Sequence, residues 1–221
     1  MRLKINKTGS FKSSKKYLEL IANSKVYDVA LNTPITYAAN LSTKLGNDVF
    51  LKREDMQPIF SFKIRGAYNK IVNLSTAQKK RGVLTASAGN HAQGVANACR
   101  KLKIPCLIVM PVTAPEIKVK AVKRLGAKVK LFGDNFDQAA KYAIQLAKEK
   151  KIEFIEAFDD PFTIAGQGTI GKEILEADPS LDVIFVPVGG GGLIAGIGAW
   201  VAQTQSKTKV YGVEVEDSAS L

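Results

Sequence analysis

Cysteine and histidine are scarce in this sequence. Among its 221 residues there are two cysteines, Cys99 and Cys106, and one histidine, His91. Two cysteines are too few for a disulfide framework, and with one histidine they leave no credible set of zinc ligands. We therefore expect no metal site here, and we expect both cysteines to pack in the core of a cytoplasmic protein.

Acidic residues are also few. Asp and Glu number 20 against 32 Lys and Arg, which gives a formal net charge of +12. Such an excess can indicate a nucleic-acid partner. The basic residues are nevertheless scattered through amphipathic segments, as at Lys118, Lys120, Lys123 and Arg124, without interleaved aromatics. The pattern favours solvated helix faces, and we expect no nucleic-acid partner.

One long apolar run lacks charge, residues 183–202. It is long enough to span a bilayer, but Pro187 and the glycines at 189–192 would break a spanning helix in its middle. A strand, a glycine loop and a buried helix explain the run better. Residues 1–16 are polar and lysine-rich, without the apolar segment of a signal peptide. We therefore expect no membrane association.

From residue 82 onward, β-like apolar runs alternate with helix-like runs. We predict strands over 83–85, 104–110, 127–132, 152–156, 183–188 and 209–215. We predict helices over 90–102, 115–125, 136–150, 161–177 and 193–204, preceded by a helix over 15–26, a strand over 48–53 and a helix over 62–74. This alternation predicts an α/β fold with a parallel sheet covered on both faces. Glycines at 166 and 168 weaken the helix 161–177, so we expect another group to approach its backbone closely there.

One lysine stands out by its neighbours. Lys63 lies between aromatic and apolar residues in the stretch Ser61–Tyr68, at the first turn of the predicted helix 62–74. Burial and the positive end of the helix dipole both disfavour a protonated amine there. Lys63 is therefore a candidate Schiff-base nucleophile. The alternative is a structural lysine at the start of a helix.

Two further stretches, residues 85–94 and 187–193, each follow a strand-like run and open a helix-like run. The second contains four consecutive glycines, whose backbone N–H groups can converge on an anion at a helix N-terminus. A dinucleotide-binding loop is the rival interpretation. Its glycine spacing fits only loosely, through Gly190, Gly192 and Ala195, and no early βαβ unit with a suitably placed acidic residue accompanies it.

Together and in this order, the three stretches resemble the pyridoxal-phosphate enzymes of the tryptophan-synthase-β fold type, and within them the threonine dehydratases. The similarity runs from about Pro34 onward and includes residues 164–169. It implies a fold-type-II enzyme with two lobes of open parallel sheet and pyridoxal 5′-phosphate in the cleft between them. It also implies a homo-oligomer that converts L-threonine to 2-oxobutanoate and ammonia. The acidic stretch 214–218 is more similar to the biosynthetic members, which serve isoleucine synthesis, and we expect it to be a solvated strand end rather than a cation site.

The resemblance also implies roles for residues that bind the cofactor. Lys63 would form the Schiff base and then remove the Cα proton of the substrate. Phe62 would pack beside the cofactor, although an aromatic there is equally compatible with the core, and Asn90 would contact the ring hydroxyl. The cofactor phosphate would be held by Gly189, Gly190, Gly191, Gly192 and the amide of Leu193.

The substrate would be held by the loop Ser87, Ala88, Gly89, Asn90 and His91. Ser87 could bind the substrate carboxylate, cap the helix, or do both. His91 is equally compatible with substrate contact and with a hydrogen-bonded histidine in the core or at the helix cap. Ala88 occupies the position where the similar serine racemases carry a serine, their second acid/base. Alanine cannot move a proton, so the sequence predicts elimination without racemisation.

The resemblance implies two lobes, a cofactor lobe from residues 1–76 and 157–221 and an inserted substrate-loop lobe from residues 77–156. The family's catalytic domain continues beyond the position of Leu221 and includes the residue that contacts the pyridine nitrogen. We therefore expect an incomplete cofactor lobe, and a 221-residue chain that alone is poorly soluble or inactive. Two alternatives stay open, a serine-directed or other lyase of this fold type, and an inactive remnant that only binds the cofactor.

Overall fold

The computed structural model of the protein describes residues 12–204 and 206–218. Its α-helices are α1 (Lys12–Ala22), α2 (Ala39–Leu45), α3 (Lys63–Val72), α4 (Thr76–Arg81), α5 (Asn90–Leu102), α6 (Glu116–Arg124), α7 (Phe136–Lys150), α8 (Pro161–Ala177) and α9 (Gly192–Gln203). Its strands are β1 (Ile35–Tyr37), β2 (Phe50–Lys52), β3 (Val83–Ala86), β4 (Cys106–Met110), β5 (Lys128–Leu131), β6 (Glu153–Phe154), β7 (Val183–Pro187) and β8 (Lys209–Val213).

Strands β3 to β6 form one parallel sheet in the order β5-β4-β3-β6. Successive side chains of a strand point to opposite faces. Val83 and Ile108 accordingly pack with residues of α3, α5 and α6, whereas Leu84 and Val109 pack with residues of α7. Helices therefore cover both faces of this sheet, as the β-α alternation predicts. The sheet lies within residues 77–156, and the division of the chain into two lobes stays a prediction.

Strands β7 and β8 also pair in parallel. Ile184 and Val186 of β7 are buried against α8 and α9, while Phe185 on the opposite face is 70% exposed and stacks on Tyr211 of β8. Strands β1 and β2 form a separate antiparallel pair, which the alternation did not predict. The α/β class with parallel sheets is confirmed.

Three helices differ from the predicted ones. The seven-residue helix α2 lies where the sequence predicted no helix. The sequence predicted no helix at α4, which begins with a capping box in which Ser75 and Gln78 exchange hydrogen bonds between side chains and backbone N–H groups. The helix predicted over 15–26 ends at Ala22, because the side chain of Asn23 bonds the carbonyl of Glu19 and closes the last turn. The missed helices α2 and α4 have only seven and six residues, too few to show a hydrophobic periodicity.

Helices α3 and α8 cross with their backbones in direct contact. A β-carbon on Gly166 would lie 2.7 Å from Cα of Gly66, and one on Gly66 would lie 2.6 Å from the carbonyl oxygen of Thr163. The predicted close approach to the α8 backbone is confirmed. Helix α5 also approaches α3 closely, since a β-carbon on Gly94 would lie 3.0 Å from the carbonyl oxygen of Lys63. The first turns of α3 are therefore held between α5 and α8.

We expect Gly166→Ala to lower the free energy of unfolding by about 1–3 kcal/mol, because the added methyl group would push α3 and α8 apart. The matched control is Gly198→Ala in α9, where a β-carbon would meet no atom within 4 Å. The control should be neutral or stabilise the protein by up to about 1 kcal/mol, since alanine favours helix over glycine. Urea denaturation measures both variants, and equal unfolding midpoints would contradict the backbone contact.

Within residues 12–204 and 206–218, no helix has both the length and the apolar character that crossing a bilayer requires. The uncharged run 183–202 forms β7, the glycine loop and most of α9, as its proline and glycines predict.

Candidate active site

Lys63 is the first residue of α3, and Phe62 precedes it at the N-cap. The Lys63 Nζ donates a hydrogen bond to the carbonyl oxygen of Ala157 at 2.8 Å and lies 5.3 Å from the centroid of the Phe62 ring. Burial lowers the pKa of the Lys63 amine below its ordinary value. This is the direction that a nucleophilic amine needs, because only the unprotonated form attacks a carbonyl. The Phe62 ring itself packs against the apolar core of β7, α8 and α9.

Ser87, Ala88 and Gly89 connect the end of β3 to α5. The Ser87 hydroxyl accepts a hydrogen bond from the backbone N–H of Gly89 at 3.1 Å, and Gly89, rather than Ser87, is the N-cap of α5. A β-carbon on Gly89 would meet no atom within 4 Å, and Asn90 after it is exposed. The loop therefore borders open space at the positive end of a helix, where an anionic ligand can bind.

His91 is buried, with 4% of its surface exposed, and its Nε2 lies 3.1 Å from the carbonyl oxygen of Ile155. That hydrogen bond assigns the proton to Nε2, and Nδ1 has no partner among the described residues. Burial lowers the pKa of His91 to about 4, the bond to Ile155 opposes this only in part, and the Lys63 amine adds to it. His91 is therefore neutral at pH 7. Its placement matches a hydrogen-bonded core histidine, and contact with a substrate stays a prediction.

The glycine loop joins β7 to α9. Gly191 has φ of 79°, a left-handed conformation that side chains disfavour. A β-carbon on Gly192 would lie 2.7 Å from the carbonyl oxygen of Phe158, and one on Gly190 would collide with the Phe158 ring. Leu193, half-buried, packs into the core of β7, α8 and α9. The loop therefore presents the backbone N–H groups of the α9 N-terminus, and it touches the segment that contains Phe158.

A cavity of about 480 Å³ lies beside this loop. Its lining combines loop glycines, the start of α9 and residues near the start of α8, namely Phe158, Asp159, Ile164, Gly190, Gly191, Gly192, Ile194 and Ala195. The helix N-terminus that opens into it favours a negatively charged ligand group.

One segment that sequence reasoning missed touches all three motifs. We call residues 155–160, between β6 and α8, the connecting segment. The Ile155 carbonyl accepts hydrogen bonds from the side chains of Thr85 and His91. Two residues later, the Ala157 carbonyl accepts one from Lys63. Phe158 then packs on the glycine loop. The connecting segment therefore brings Lys63, the Ser87–His91 loop and the glycine loop to one place.

The carboxylate of Asp160 holds the end of the connecting segment in place. Asp160 is the N-cap of α8, where its side chain accepts hydrogen bonds from the backbone N–H groups of Phe162 and Thr163. Its other carboxylate oxygen binds Lys70 of α3 at 2.8 Å. An Asp before a Pro at the first helical position is a recognisable helix start. That signal could have located the end of the segment, although not its contacts.

Comparison with known proteins gives one consistent family. The sequence pattern of the family described as "Pyridoxal-phosphate dependent enzyme" matches residues 26–221. The threonine dehydratase of Nicotiana attenuata is 54% identical over 205 residues, which are 93% of this chain and 34% of that protein. The biosynthetic L-threonine dehydratase IlvA of Pasteurella multocida is 55% identical over 205 residues, 93% of this chain and 40% of that protein.

Solved structures agree with these relatives. The processed form of threonine deaminase isoform 2 from Solanum lycopersicum superposes with a TM-score of 0.91 at 48% identity, covering 93% of this chain and 57% of that one. Maize serine racemase gives a TM-score of 0.82 at 33% identity, covering 93% and 61%. The chain thus spans roughly a third to two fifths of the curated relatives. The family match over residues 26–221, on a fold that brings the three motifs together, shows that this chain belongs to the pyridoxal-phosphate-dependent enzymes.

Proposed function

We propose that this chain carries the Schiff-base lysine, the phosphate loop and the substrate loop of a pyridoxal-phosphate-dependent threonine dehydratase. The reaction would convert L-threonine to 2-oxobutanoate and ammonia. The observation that carries the proposal is the connecting segment, in which adjacent residues contact the Lys63 amine, through the Ala157 carbonyl, and the glycine loop, through Phe158. An amine and an anion-binding loop held side by side are what an aldehyde with a phosphate group requires.

The residues fit pyridoxal 5′-phosphate in charge and shape. The amine of Lys63 is largely buried and its pKa is lowered, which suits attack on an aldehyde. The glycine loop offers N–H groups and the positive end of the α9 dipole to a phosphate. When bound, the cofactor supplies an aldehyde and an electron-withdrawing pyridine ring that stabilises a carbanion. We assign the phosphate to the loop that the sequence predicts, Gly189–Leu193.

The protein's own residues would then move one proton and hold one anion. The Lys63 Nζ, once released, would take the proton from Cα of threonine, because a neutral amine in a largely buried site is a competent base. The loop Ser87–His91 would hold the substrate carboxylate at the N-terminus of α5, and Asn90, exposed beside it, would contact the cofactor's ring hydroxyl. Loss of water from the substrate and hydrolysis of the released product leave 2-oxobutanoate and ammonia.

The proposal is tested with L-threonine and purified protein saturated with pyridoxal 5′-phosphate. We expect 2-oxobutanoate to form faster than with Lys63→Ala, and cofactor absorbance to change on adding threonine. The comparison with Lys63→Ala decides, rather than the absolute rate. A wild-type rate equal to that of Lys63→Ala, with no spectral response, would contradict the proposal. The role in isoleucine biosynthesis, the homo-oligomer and the cytoplasmic location stay predictions.

The second candidate is a serine-directed enzyme, favoured by the similarity to maize serine racemase. Ala88 separates racemisation from elimination, because its methyl group cannot return a proton to the opposite face of Cα. We expect the protein to form pyruvate from L-serine, if it accepts serine, without accumulating D-serine. Chiral chromatography measures both products over time, with Lys63→Ala as the control that should form neither. D-serine in amounts comparable to pyruvate would show that Ala88 does not limit the reaction.

A further inference from the structure

Arg65 lies two residues after Lys63 on the first turn of α3, and its side chain is fully buried, with 0% exposed. Successive residues of an α-helix are separated by about 100°, so these two side chains point about 200° apart. Lys63 reaches the connecting segment, whereas Arg65 reaches α8 and the residues before α3. The guanidinium donates hydrogen bonds to Glu54, Glu173, Thr169 and the carbonyl of Leu31.

Both carboxylates that face Arg65 are themselves held. Glu173 of α8 also receives Lys52 at 2.6 Å and the hydroxyl of Tyr27 at 2.8 Å. Burial alone would raise the pKa of Glu173, but the bonds from Arg65, Lys52 and Tyr27 outweigh it and lower the pKa below its ordinary value. Two cations therefore balance two carboxylates in this cluster. We call Lys52, Glu54, Arg65 and Glu173 the buried ion cluster.

The buried ion cluster fixes the first turn of α3 from the side opposite to Lys63. Arg65 bonds Glu54 through Nε and Nη2, each at 2.8 Å. Two parallel bonds from one planar guanidinium restrict the rotation of the Arg65 side chain as well as its distance from the carboxylate. A rotation of α3 that moved the Lys63 amine away from Ala157 would have to break these bonds. Replacing a whole buried ion cluster by apolar residues is often neutral for stability, whereas removing one partner leaves an uncompensated charge and is strongly destabilising. The effect of Arg65 on geometry is therefore measured separately from its effect on stability.

We propose that Arg65 is a positioning residue that sets where the Lys63 amine lies, and hence how selectively pyridoxal 5′-phosphate attaches to it. This inference rests on the proposed function of Lys63. Without the guanidinium, the first turn of α3 keeps its packing against Gly166 and Gly94, so the helix remains while its orientation loosens. The share of pyridoxal 5′-phosphate that attaches to Lys63 should then decrease while the protein is still folded.

The test compares four variants: Arg65→Met, Arg65→Lys, Glu54→Gln and, as control, Ile71→Ala. Ile71 is buried in the same helix but packs in a different core, away from the cluster. Each protein is incubated with pyridoxal 5′-phosphate and reduced with borohydride, and mass spectrometry gives the share of label on Lys63 relative to all other lysines. Urea denaturation gives stability in parallel.

We expect the Lys63 share to fall about tenfold in Arg65→Met, a change of about 1.4 kcal/mol in selectivity, and to be partly restored in Arg65→Lys. Ile71→Ala should lower the urea midpoint yet keep wild-type selectivity. Should Arg65→Met fail to fold, Glu54→Gln decides, because the Glu54 carboxylate is partly exposed and glutamine keeps its shape. Should Glu54→Gln also fail to fold, Arg65→Lys decides. We expect that variant to fold and to carry a smaller share of label on Lys63 than the wild type.

Wild-type selectivity in every folded cluster variant would overturn the inference and leave Arg65 a purely structural residue. Failure of the proposed function looks different. In that case the wild-type protein itself would not concentrate the label on Lys63, whatever the cluster variants do.

Discussion

Lys63→Ala should abolish the covalent attachment of pyridoxal 5′-phosphate and lower threonine turnover by at least about 10³-fold. The expected loss is large because the substitution removes the nucleophile and the general base together. The cofactor should still bind, since the glycine loop is unchanged, but without the blue-violet absorption band of a Schiff base. Absorption spectroscopy and the reaction with L-threonine measure the two effects.

The matched control for this prediction is Lys120→Ala. Lys120 is exposed and pairs with Glu116 one turn earlier, so its loss should change neither the band nor the rate. Exposed pairs of this kind contribute about 0–1 kcal/mol. A Lys63→Ala protein that keeps both the absorption band and a borohydride-reducible adduct would show that another lysine carries the chemistry.

Gly192→Ala should weaken the binding of pyridoxal 5′-phosphate about tenfold to a hundredfold. The new methyl group would meet the Phe158 backbone, whose carbonyl oxygen lies 2.7 Å from the β-carbon position. Backbone cannot swing aside as a side chain can, so the connecting segment has to move, and Ala157 with it. Overpacking of this kind costs about 1–3 kcal/mol, and 1.4 kcal/mol is a factor of ten in affinity.

Titration of the cofactor into Gly192→Ala and into Gly198→Ala measures this effect. Both substitutions add the same methyl group to α9, but a β-carbon at Gly198 would meet no atom within 4 Å. Gly198→Ala should therefore bind as the wild type does. Equal affinities for the two variants would contradict the contact between the glycine loop and the connecting segment as a determinant of cofactor binding.

The sequence predicts the repeating part of this fold well, for a physical reason. Strands such as β4, in the centre of a covered sheet, must be apolar on both faces, and the helices between them must be amphipathic. The Lys63 and glycine-loop motifs are local too, because a helix start and a tight turn depend on adjacent residues. Strand β2 lies within the predicted strand 48–53, but its antiparallel pairing with β1 escaped prediction, because both strands are only three residues long and pair outside the β-α alternation.

The contacts that assemble the candidate site could not be predicted from local patterns. The Lys63 amine meets a carbonyl 94 residues away, and Arg65 meets Glu173 across 108 residues. A backbone carbonyl such as that of Ala157 leaves no trace in the sequence, since every residue has one. Arg65 itself was visible, but a single arginine in a helix does not indicate that it is buried or which carboxylates it binds.

The central claim is that Lys63, the first residue of α3, whose amine bonds the connecting segment, is the lysine that binds the cofactor. The most direct measurement is to saturate the wild-type protein with pyridoxal 5′-phosphate, reduce it with borohydride, digest it and locate the label by mass spectrometry. We expect one label per chain, on the peptide that contains Lys63, among the chain's 26 lysines. A label spread over exposed lysines, or concentrated on a different lysine, would contradict the account.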